Sequence, residues 1–149
     1  MSNQQARRKA REFAVQGIYQ WLVSHNDLAP VEEHIAQSTD FEQADAALFR
    51  ERLRGAIANA ERHDAGIGRH IDRQVGELSP VEHAVLLLAS QELAHHPEVP
   101  YRVVINEAIE LTKSFGGSEG HRFVNGVLDK LAAELRATEV NAARRKRGQ

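Results

Sequence analysis

The stretch from Ser79 to Leu93 does more than any other to limit what this chain can fold into. Ser79 suits a helix N-cap, Pro80 the first helical position and Glu82 the third, a pattern resembling a capping box. Behind that start come Val81, Ala84, Val85, Leu86, Leu87, Leu88, Ala89 and Leu93, which are apolar around most of the helix circumference. A helix with no broad polar face has to be enclosed by other elements. The remaining sequence must therefore supply amphipathic partners for a central helix.

Those partners read as helices too. Period-2 alternation occurs only briefly, as at Val99, Tyr101 and Val103, whereas spacings of 3, 4, 7 and 8 recur in long windows. Ala14, Ile18, Trp21 and Leu22 form one stripe, which predicts a helix from about Gln5 to Ser24 that stops at His25, Asn26 and Asp27. A short helix is expected after Pro30, and a longer one over about Gln43 to Arg62. The segment from Asp64 to Gln74 reads as a weaker helix or an irregular turn, because Gly66 and Gly68 each cost about 1 kcal/mol relative to Ala inside a helix. Beyond Pro97 and Pro100, Val104, Ala108, Leu111, Thr112 and Phe115 predict another helix, closed by Gly116-Gly117. Ser118 can cap the last one, whose stripe is Val124, Val127, Leu128, Leu131 and Leu135. The fold expected is all-α, with six to seven helices in two packed helical subdomains. The first spans residues 1–77 with a basic tip, the second 78–138, and a flexible basic tail follows at 139–149.

Charge is segregated along this framework. The 19 basic and 21 acidic residues sum to −2, yet residues 1–12 and residues 138–149 each hold four bases and one acid, leaving the body between them at −8. Two basic ends on an acidic body point to an anionic partner met locally, with nucleic acid as the first candidate. The longest apolar run, Ala84 to Ala89, is far short of the roughly 20 residues needed to cross a bilayer, so no membrane role is expected. The absence of cysteine excludes disulfides, thiolate nucleophiles and cysteine-based zinc sites, and no charged-then-apolar leader opens the chain. The expected location is cytoplasmic.

Arg7, Arg8, Lys9 and Arg11 crowd the amino end of the first helix, where the helix dipole disfavours positive charge. Arg7 and Arg11 lie four apart and continue the line of Ala14, Ile18 and Leu22, so the stripe turns cationic at its tip. Guanidinium forks and free backbone N–H groups suit phosphates there; a solvated basic helix end accounts for the same residues equally well. Near the start of the last helix, Phe123 lies about 100° from Val124 and flanks its stripe. Beside Arg122 and Asn125 it reads either as a stacking surface for unstacked bases or as an ordinary edge of the core. The eight histidines lack HExxH or cysteine support, so they read as surface residues and no metal is expected. Glu107 and Glu110 read as a solvated polar face. No Gly-rich phosphate loop and no convergent acid/base pair occur, which favours binding over catalysis, with no cofactor.

Ala6 to Trp21 (ARRKAREFAVQGIYQW) and Val99 to Leu131 (VPYRVVINEAIELTKSFGGSEGHRFVNGVLDKL) closely resemble the NusB family of transcription antitermination factors. The likeness extends more loosely over residues 6–137, and residues 27–75 match only in pattern. The resemblance implies an all-helical fold and a non-enzymatic protein that binds the boxA element of ribosomal RNA leaders with NusE. That protein would act in the RNA polymerase antitermination complex. It implies RNA contacts at Arg7, Arg8, Arg11, Gln16, Lys113, Arg122 and Phe123, and partner contacts at Tyr19 and Glu82. Glu82 equally suits a capping role. Two rivals remain: a fragment of an RNA methyltransferase carrying a NusB-like domain, and a helical adaptor that binds protein alone. The sequence leaves a homodimer open.

Overall fold

A computed structural model describes residues 3–116 and 119–148. Among these, eight α-helices and two short 3-10 turns account for all regular structure. The helices are α1 (Asn3–Ser24), α2 (Leu28–Ala36), α3 (Ala46–Ala58), α4 (Ala60–Gly68), α5 (Pro80–His95), α6 (Tyr101–Phe115), α7 (Gly120–Leu135) and α8 (Ala137–Arg147). The fold is all-α as expected, with one or two helices more than the periodicity suggested.

α5 is the central helix. The Ser79 hydroxyl accepts the Glu82 N–H at 3.2 Å, and every residue from Ala84 to Leu93 is buried. α1, α3 and α4 pack on α5 from the first half of the chain, α6 and α7 from the second, and one hydrophobic core runs through both halves. α1 stops as predicted, at a left-handed His25 (φ 61°) whose N–H reaches the Trp21 carbonyl at 3.1 Å.

Three elements differ from the sequence expectation. The long helix predicted over 43–62 is divided at Asn59, which leaves helical geometry where Gln91 of α5 is inserted. Gln91 Oε1 accepts from Asn59 Nδ2 at 3.2 Å and lies 2.8 Å from His63 Nε2. Gly55 admits that side chain, since a Cβ there would fall 2.3 Å from Gln91 Nε2. The uncertain 64–74 segment is helical as far as Gly68, then turns through a 3-10 segment at Val75–Glu77. The tail expected to be flexible is α8. Val140 is buried, Ala143 packs against the core, and the Glu139 carboxylate accepts the Tyr101 N–H at 2.9 Å. The expected cap at Ser118 lies outside the described residues, and Glu119 precedes α7.

Candidate nucleic-acid interface

The basic tip of α1 does not present its cations as one free row. Ala10 and Ala14 are fully buried, which turns Arg11 inward toward α5. There the Arg11 guanidinium makes a bidentate pair with Glu92, at 2.9 and 3.0 Å. The same carboxylate accepts Arg52 Nε of α3 at 3.0 Å, so Glu92 sits between two buried arginines. Glu92 is about 2% exposed and Arg11 5%. A carboxylate this deep is tolerable because two guanidiniums satisfy it, and removing either would leave buried charge uncompensated. The expectation of Arg11 as a surface phosphate ligand therefore gives way to a structural role at the joint of α1, α3 and α5. Desolvation lowers the Arg11 pKa, but hydrogen bonding and attraction to Glu92 outweigh it and leave the pKa raised.

One turn back, Arg8 donates to both Glu107 oxygens of α6, at 3.1 and 2.9 Å. Glu107 is buried rather than solvated, because it faces α1 and neutralises this cation, while Glu110 stays exposed beside Lys113 at 3.9 Å. The Arg8 side chain remains 48% exposed, so its outer edge still faces solvent. Arg7 is exposed, and among the described residues no carboxylate lies within ion-pair distance of Arg7 or Lys9. Arg7 stands at the mouth of a cleft of about 520 Å³ between α1, α3 and the start of α6, where Leu48, Val99 and Val103 add apolar surface. Arg52 also contacts Glu51 and Glu98 at the inner wall.

Elsewhere the expected residues are dispersed. Gln16 is half-buried on α1, and Tyr19 is exposed further along it. Phe123 and Arg122 border a different depression, beside His70, Ile71 and Asp72. The Phe123 ring packs against the core and carries the Arg73 guanidinium 4.7 Å from its centre, so a stacked base would compete with Arg73 for a face. Asn125 faces α6 and α8 instead, and so does not join Phe123. Glu82 is half-buried, its carboxylate 2.8 Å from where a Cβ on Gly120 would stand, so it braces the start of α7.

Two histidines expected at the surface, His63 and His96, are buried, because His63 meets Gln91 and His96 meets Arg52. Burial is the largest influence on His63 and lowers its pKa. Among the described residues no group of three metal-ligating side chains forms, and no helix is long and apolar enough to cross a membrane. Sequence reading passed over Arg136, which donates to the carbonyls of Glu92, Leu93, His96 and Val99 at 2.7 to 3.1 Å and so closes the end of α5. No local pattern marks it, because its acceptors lie some 40 residues away.

Comparison with known proteins adds independent findings. The model of the NusB family matches residues 8–133. A protein of Aromatoleum aromaticum named transcription antitermination protein NusB is 59% identical over 97% of this chain and 99% of its own length. Its counterpart in Bordetella pertussis is 52% identical, over 95% and 94% respectively. Among solved structures, NusB of T. maritima aligns with a TM-score of 0.75 at 32% identity, covering 85% of this chain and 90% of that one. A structure described as antitermination factors NusB and NusE in complex with dsRNA aligns at 0.73 and 21% identity, over 83% of this chain and 93% of that one, a likeness of fold.

Proposed function

The chain belongs to the NusB family of transcription antitermination factors, which are not enzymes, and from that membership we propose that it binds boxA RNA of ribosomal RNA leaders. It does so with NusE, within the RNA polymerase antitermination complex, in the cytoplasm. The observation that carries this reading is the exposed, unpaired Arg7 beside the half-exposed Arg8 at the cleft between α1 and α6. A guanidinium without a carboxylate partner at a helix amino terminus is available to a phosphate without first breaking an ion pair. Lys113, Arg122 and Phe123 extend the RNA surface, with base stacking on Phe123 once Arg73 moves aside. Arg11 supports it from beneath by holding α1 on α5.

The acidic body makes a partner physically reasonable. A basic ribosomal protein such as NusE would cover carboxylates that repel RNA, with Tyr19 and Glu82 as contact positions. RNA binding by this protein alone is then modest and tightens when NusE is present. Linkage demands the reciprocal effect, so calorimetry with each component added in both orders measures one coupling free energy twice. Equal affinity for NusE with and without boxA RNA would refute cooperative assembly. In the same assay Arg7→Ala should lower the dependence of log K on log salt by about 0.7 without loss of stability.

A further inference from the structure

A second cleft, of about 270 Å³, opens between α6, α7 and α8, and only its α8 wall lies beyond residues 8–133, the stretch that matches the family model. Arg102 of α6 and Arg144 and Arg147 of α8 line it, with Asn106 and Asn125 between them. Among the described residues, no carboxylate comes within ion-pair distance of any of the three arginines; Asp129, which also lines the cleft, pairs with none of them. Val140 and Glu139 hold the first turn of α8 against the body, and Arg144 and Arg147 follow on the same helix. Three guanidiniums from two helices, flanked by amide donors, suit successive phosphodiester groups better than a single compact anion.

The neighbouring wall is shared. Val103 and Glu107 of α6 line the α1 cleft, while Arg102 and Asn106 on the same turns line this one. The two clefts therefore lie about one helix diameter apart, roughly 10–12 Å. The body between the basic ends is acidic overall, so a polyanion leaving the α1 site meets here a second cluster of unpaired cations, next to the same helix α6. We propose that this cleft grips the backbone of RNA flanking the recognition element, with Arg102, Arg144 and Arg147 as its phosphate ligands. The inference rests on the RNA-binding function proposed above.

The test compares a core boxA RNA with the same RNA extended by unstructured nucleotides, at the 5′ end and at the 3′ end, in salt titrations of the full chain. The extended RNA should bind more tightly at one of its ends. Combined Arg102→Gln, Arg144→Gln and Arg147→Gln should then lower its slope of log K against log salt by about 2, at roughly 0.7 per phosphate, and leave the core RNA unaffected. All three residues are exposed, and circular dichroism verifies retained helix. Each single variant, expected to remove about 0.7, repeats the test if the triple one unfolds. An unchanged slope on extended RNA with core binding intact overturns the inference and leaves the proposed function standing. Wild-type protein that binds neither RNA overturns both. Arg145→Gln with Lys146→Gln, whose side chains do not line the cleft, serves as the control, and an equal loss there overturns a built site in favour of undirected tail charge.

Discussion

The two ends of the chain carry the same formal charge and are built in opposite ways. At the amino end, α1 lies along α5 and α6, so its cations meet the carboxylates of Glu92 and Glu107 and two of the four are neutralised. At the carboxyl end, α8 is fastened by its first turns, through Arg136, Glu139 and Val140, and its four cations project beyond those contacts without an acidic partner among the described residues. Equal charge counts thus give one end whose positive potential is trimmed to Arg7, Lys9 and the edge of Arg8. The other keeps its potential undiminished. Net charge by segment is a poor guide to available charge, because what remains for a ligand is whatever the fold leaves unpaired.

The contrast is most exposed to refutation at Arg11. Arg11→Ala should cost about 3–5 kcal/mol of stability by leaving Glu92 under-compensated in the interior, whereas Arg144→Ala should stay within about 0.5 kcal/mol. Denaturant titration of both variants decides it, and similar small losses would mean that the amino end is as loosely built as the carboxyl end. Arg136→Ala should come next, at about 2–3 kcal/mol, since carbonyls at the end of α5 lose a charged donor. Amide exchange in that variant should quicken first in α8, showing that the second basic end depends on this anchor for its position.

Glu107→Gln sharpens the comparison from the other direction. Removing the carboxylate frees Arg8, so stability should change by no more than about 1 kcal/mol. The slope of RNA affinity against salt should grow by about 0.7, which filter binding would detect. The smallest effect concerns acid. Burial opposes ionisation of Glu139, yet hydrogen bonds from Tyr101 and Arg136 prevail and hold its pKa below the ordinary 4.5. A folded-state pKa below the unfolded one contributes stability that is present above about 4.5 and lost as pH falls through the folded value. α8 docking, followed by amide exchange, should weaken over that acidic range, and Glu139→Gln should remove the dependence.

Helix starts and faces were legible because they depend on neighbours within one or two turns. Ser79 capped α5, His25 ended α1, and the stripes of α6 and α7 are buried as their spacing implied except at their last positions, where Phe115 is half-buried and Leu135 is exposed. The division at Asn59 was not legible, since it answers to Gln91 about 30 residues later. α8 escaped notice for a related reason. Its apolar signal is little more than Val140 and Ala143, and it becomes a stable helix by docking, not by propensity. For the interface, the residue types and the resemblance located the cationic tip of α1 but could not rank its members.

That ranking marks where sequence determination stopped. Local spacing and caps settled that the chain is helical and that α5 lies inside, and the long ordered motif at Val99 to Leu131 settled its family. Which arginine is buried, which is shared with a carboxylate and which remains free for a phosphate was decided only when distant helices came together. Arg7 and Arg11 are equivalent in type and lie on one helical line, but Glu92 reaches only the second. Coulomb attraction falls with distance and strengthens out of water, so their fates depend on where α5 and α6 place their acids.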